Sequence, residues 1–131
     1  MMHYYVSNKA HIFWDDVIEA VVIRWNSFAQ AEDFRVPLDK MIELAVIKKA
    51  KKALSDSSHT LLLAEDAKWL SEDWLPRLLN AGIQYTATVT PEKTNTNLSV
   101  SKAIGKNTTN LSHHEFEDIH NAVSWLSGIS A

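Results

Sequence analysis

The chain contains no cysteine, only three glycines and three prolines in 131 residues, and a formal charge of only −3. Without cysteine there is no disulfide, no thiol nucleophile and no cysteine-ligated zinc, so stability has to come from packing. Neither a G-x-S-x-G nucleophile elbow nor a phosphate-binding glycine loop is present, and three glycines could hardly build one. The charge balance leaves no basic surface to release counterions from a phosphate backbone, because the lysines of AVIKKAKKAL are offset elsewhere; nucleic acid is not an expected partner. No apolar run approaches the length of a membrane span. The amino terminus, MMHYYVSNKAHIF, lacks both the charged start and the continuous apolar stretch of a secretory signal, so a cytoplasmic protein without membrane insertion is expected.

What is present is the composition of a packed protein, 46% hydrophobic and 22% charged. The length suits a single domain over 1–131, able to bury roughly two thirds of the surface its unfolded chain exposes. From His3 to Trp25 the residues are aromatic and β-branched, with Ser7-Asn8-Lys9 and Asp15-Asp16 as turns, which predicts two or three antiparallel strands. Val21, Ile23 and Trp25 alternate onto one face, and Glu19 turns to water. The period then becomes helical: Phe34, Leu38, Met41, Ile42 and Ala45 form an apolar stripe opposite Glu32, Arg35, Asp39 and Glu43. Ser27 and Gln30 fit a capping box, a start one turn later fits equally, and Pro37 falls inside the helix, where it removes a backbone bond and bends the axis.

In KKALSDSSHTLLLAED, composition favours Leu61 to Leu63 as the strand, yet Ala53 to Ser55 ending at Asp56 fits too; local pattern does not decide. In WLSEDWLPRLLNAG, Ser71 as N-cap makes Leu70 and Leu75 a hydrophobic staple, with Glu72 and Asp73 at the positive end of the helix dipole. Pro76 permits a kink or a later start, and Gly82 supplies a left-handed end. IQYTATVTP alternates Tyr85, Ala87 and Val89 against Thr86, Thr88 and Thr90, as a strand does. A short helix is expected around Leu98 to Ile104. LSHHEF reads as an edge strand, and Asp118 caps a last helix carrying Ile119, Ala122, Val123 and Leu126, stopped by Gly128. The pattern predicts an α/β fold: a mixed β-sheet opened by an antiparallel hairpin, then alternating helices and strands, with the helices covering the sheet.

The order WNSFAQAEDFR, LSD, WLSEDWLPRLLNAG, YTATVTP, LSV and AVSWL resembles small bacterial proteins of the STAS-like superfamily, which includes anti-sigma-factor antagonists and shares its shape with CRAL-TRIO lipid-transfer domains. The likeness runs from about His11 to Leu126 and is most specific at Trp69, Leu70, Glu72, Trp74, Pro76, Arg77, Ala81 and Gly82. It implies that the strand before this helical stretch ends in Asp, which favours Lys52 to Asp56 over the leucine run. It implies no reaction. Antagonists of this kind carry a phosphorylatable serine in an Asp-Ser-Ser-Gly-Leu-Gly loop. This chain has Asp56-Ser57-Ser58 followed by His59, so Ser57 and Ser58 are either a phosphorylation site or a plain turn.

Few residues suggest chemistry. In HHEFEDIH, His113 and His114 are adjacent and would point to opposite faces of a strand, so no metal is expected, and no cofactor either. The paired carboxylates Asp15-Asp16, Glu65-Asp66 and Glu72-Asp73 read as turns or caps. The two indoles either both seal the core, as large aromatics usually do, or Trp74 faces a pocket or partner while Trp69 packs inside. Two functions follow. The first is a non-enzymatic regulatory module that binds a protein partner or a second copy of itself through Asp56, Trp74 and Arg77. The alternative is a carrier or sensor of a small hydrophobic ligand held between helix and sheet.

Overall fold

The computed structural model describes residues 2–26, 32–56, 68–89 and 112–129. Strands β1 (Met2–Val6), β2 (Ala10–Asp15) and β3 (Ala20–Trp25) form an antiparallel meander. Its turns are built by side chains that replace ladder partners. Ser7 Oγ accepts from the backbone N–H groups of Lys9 and Ala10 at 3.1 Å each, and Asp15 Oδ1 accepts from those of Val17 at 2.9 Å and Ile18 at 3.3 Å. Glu19 closes the second turn at φ 55° with its side chain in water.

From β3 the pairing changes sign. β4 (Lys52–Asp56), β5 (Tyr85–Val89) and β6 (Ser112–Phe116) each add in parallel, giving one six-stranded mixed sheet in the order β1-β2-β3-β4-β5-β6. Parallel neighbours need a crossover, and α1 (Glu32–Lys48) supplies the first. The strand is thus Lys52–Asp56, while Leu61 to Leu63 lie outside the described residues. So do Ser27, Gln30, Ser57, Ser58 and the helix expected around Leu98 to Ile104.

The helices divide between two faces, and each face has its own core. Val21, Ile23 and Trp25 meet Phe34, Leu38, Met41 and Ala45 of α1, while Ala20 and Val22 on the opposite face meet Ala122 and Leu126 of α3 (Ile119–Ser127). Such double burial is why Thr86 and Thr88, alternating with Ala87 and Val89, are buried and not solvated: β5 is an interior parallel strand. Pro37 sits within α1 and is itself buried. Asp118 caps α3, its carboxylate accepting from the N–H groups of His120 at 2.6 Å and Asn121 at 3.4 Å. Lys52 is buried between the elements, its Nζ donating to Ile18 O at 3.1 Å and Leu126 O at 2.8 Å.

The stretch around Pro76 departs from expectation. Helical backbone already runs through Lys68 and Trp69, where φ is −59° and ψ −44°, so Ser71 is not an N-cap and the staple built on it does not exist. Ser71 lies inside a π-helical turn, Leu70–Trp74, that leads directly into α2 (Leu75–Asn80). The cause is Pro76, which lacks an N–H and whose ring crowds the carbonyl four residues back. The preceding turn widens, and the Leu75 N–H bonds Leu70 O, five residues back. Gly82, at φ 108°, ends α2 in the left-handed region as expected.

Candidate functional site

On one face of the sheet, α1 and the 68–80 helical stretch lie side by side, and their shared outer edge collects aromatic and guanidinium groups. The row starts in the core, where Phe34 stacks on Trp25 with centroids 5.3 Å apart and planes at 14°. Trp69 meets Phe34 edge-on, at 6.3 Å and 72°. Its ring is half-buried, with the Arg35 guanidinium 5.3 Å and that of Arg77 5.9 Å from its centroid. Arg77 is held in turn by Asp39 Oδ1 at 2.8 Å and Asp73 Oδ2 at 2.9 Å. Burial pushes the Arg77 guanidinium down, but the hydrogen bonds and charges of Asp39 and Asp73 outweigh it and hold the group above its ordinary value. The exposed ion pairs contribute about 0–1 kcal/mol each. Their main effect is geometric: they fix a cation against an aromatic face.

The two indoles differ in depth: Trp74 faces an internal cavity, and Trp69 packs against the edge of the core. Trp74 is 4% exposed and donates its Nε1–H to Leu38 O at 2.9 Å, so it cannot offer a contact at the protein surface. Because the helix begins upstream of Ser71, Leu70, Trp74 and Leu78 share the inward stripe, and Trp69 is carried to the rim.

The residues singled out as one surface are also not together. Arg77 is exposed on the outer edge of α2, and Trp74 is beneath it. Asp56 follows Lys52 and Leu54 on the face covered by α3, where it pairs with Arg24 Nε at 3.6 Å. The signal for the actual cluster was visible, since Arg35 and Asp39 stand four apart, as do Asp73 and Arg77; nothing in the sequence showed that the two pairs meet.

Beneath this edge, a cavity of about 20 Å³ lies between helices and sheet, walled by Trp25, Phe34, Leu38, Met41, Leu70 and Trp74 and floored by Ser55, Thr86 and Thr88. Ligand pockets for drug-sized molecules occupy roughly 300–1,000 Å³, far more than this space. An open hollow of about 310 Å³ lies elsewhere, at the rim between the β1–β2 turn and the start of α1, lined by Lys9, Glu32 and Asp33 among others.

On the far face, His114 packs 4.5 Å from Trp125 and 6.4 Å from Phe116, centroid to centroid. Among the described residues no three histidine or carboxylate side chains converge as a metal site would require, and no helix is long and apolar enough to cross a membrane. No protein-family model, curated protein or solved structure matches the chain.

Proposed function

We propose that this is a non-enzymatic interaction module of STAS-like build, working in the bacterial cytoplasm and binding a protein partner or a second copy of itself through the Trp69 edge. The observation that carries this reading is the half-buried Trp69 ring with Arg35 and Arg77 against it. Tryptophan and arginine dominate binding hot spots, and an indole already held in place loses little freedom on binding. Among the described residues, five carboxylates serve the fold, which supports a non-catalytic reading. Asp15 and Asp118 hold backbone N–H groups, Asp39 and Asp73 hold Arg77, and Glu43 accepts from Tyr4.

The test places a photo-crosslinking residue at Arg35 in cells, with the same residue at Val17, a well-exposed turn position, as control. A discrete adduct with one protein or with a second copy is expected from position 35, absent from position 17 and lost on Trp69→Ala. Equal labelling from both positions, or an adduct indifferent to Trp69, would remove the site. Carriage of a hydrophobic ligand is the competing reading, and the cavity of about 20 Å³ beside Trp74 speaks against it.

A further inference from the structure

The cavity floor contains one polar atom that the packing does not explain. Thr88 is 1% exposed, and its Oγ1 is buried without a hydrogen-bond partner among the described residues. Leaving such a hydroxyl unpaired is costly, and native interiors rarely do so. Strand register places Ser55 directly across from Thr88 in the parallel β4–β5 ladder, on the same sheet face, with Thr86 two residues back on that face. Ser55, Thr86 and Thr88 are all among the residues lining the cavity. Ser55 and Thr86 already have interactions of their own. A hydroxyl offers one donor and two acceptor positions, so Thr88 Oγ1 can both donate to and accept from a small polar guest. The space, about 20 Å³, exceeds the roughly 10–15 Å³ that one water needs by this measure and falls far short of an organic ligand.

We propose that the cavity is a specific binding site for a single internal water, hydrogen-bonded to Thr88 Oγ1 and to the hydroxyl floor formed with Ser55 and Thr86. The site is selective by size and by chemistry. Apolar walls from Trp25, Phe34 and Trp74 offer a guest no second polar surface, so it has to bind through the threonine side. This inference is independent of the Trp69 edge and stands if that surface binds nothing.

Water-to-protein magnetisation transfer on the intact protein, with Thr88→Val and Thr88→Ser as variants, tests it. The wild type should show a long-lived water contacting the Thr88 side chain. Thr88→Ser should keep it, and Thr88→Val should lose it, with a melting temperature lower by about 3 °C, since a satisfied hydroxyl is worth about 1 kcal/mol. A dry cavity predicts the opposite sign, because removing an unpaired buried hydroxyl stabilises. A wild type without a water contact at Thr88, or a Thr88→Val protein that melts at or above the wild-type temperature, overturns the proposal. The wild-type measurement alone decides if the valine variant does not fold.

Discussion

Trp74 combines an apolar ring buried in the core shared by α1 and the sheet with a single polar group satisfied by the Leu38 carbonyl. Truncation to alanine removes both, and Trp74→Ala is expected to cost about 3–5 kcal/mol, as large aromatic deletions in cores do. Trp69→Ala removes one edge-to-face contact and two cation–π contacts from a half-exposed site, a loss of roughly 1–2 kcal/mol. Urea unfolding of the two variants should separate them clearly, and equal losses would contradict the burial assigned to each. A second pair of residues links stability to pH. The Tyr4 hydroxyl donates to Glu43 Oε1 at 2.8 Å. That hydrogen bond, aided by Lys40, holds the Glu43 carboxyl below its ordinary value, and the same bond with the adjacent negative charge holds the Tyr4 phenol above its own. A depressed carboxylate contributes stability that is present above its unfolded value, 4.5, and lost as pH falls through the folded one. A raised phenol contributes stability that is complete below its unfolded value, 10.0, and lost as pH rises through the folded one. Carboxyl titration by NMR should therefore show the Glu43 midpoint moving upward in Tyr4→Phe. An unmoved midpoint would mean that the bond does not form in solution.

Among the elements, those with a strong period or a decisive cap were legible in the sequence. The meander, the stripe of α1, the β5 alternation, Asp118 and Gly82 all occur where local chemistry put them. Gly82→Ala is expected to cost at least roughly 1 kcal/mol, and since an added Cβ would stand 3.7 Å from Ala50 O, the loss is conformational strain and not a clash. Chemical denaturation checks it, and no change would show that α2 can end without a left-handed residue. The start of the 68–80 stretch was not legible, because Ser71, with Leu70 and Leu75 around it and Glu72 and Asp73 after it, has the local pattern of a cap. The competing influence is Pro76, five residues on, which widens the turn before it and lets Leu70 and Trp74 both reach the core. That outcome depends on a surface supplied by α1 and β3, distant in the chain. The choice of Lys52–Asp56 was likewise closed to local pattern. A strand paired on both sides with a buried lysine at its start is recognisable only once Ile18 and Leu126 are in place to accept its amine. Thr88 carried no signal at all, since its alternation with Ala87 and Val89 describes a half-exposed strand as well as an interior one.

At the scale of the molecule, Lys52 joins parts that share no strand pairing, the β2–β3 turn through Ile18 and the last turn of α3 through Leu126. Lys52→Met keeps the stem's packing and removes the charged donor, so a loss of about 1.5–3 kcal/mol is expected, the worth of hydrogen bonds to a charged group. Hydrogen exchange should show the loss at both ends together, in the 15–20 turn and in α3; exchange confined to one end would deny the link. The sheet has a further property. Among the described residues, each strand is bonded only to its neighbours in sequence, β1 to β2 and onward to β6. A chain emerging from a ribosome can therefore lay down this sheet in the order of synthesis. Each new strand extends the edge left by the one before and never has to insert between two that are already paired. The antiparallel meander, closed by short turns, comes first, and the slower parallel additions follow on a template that already exists.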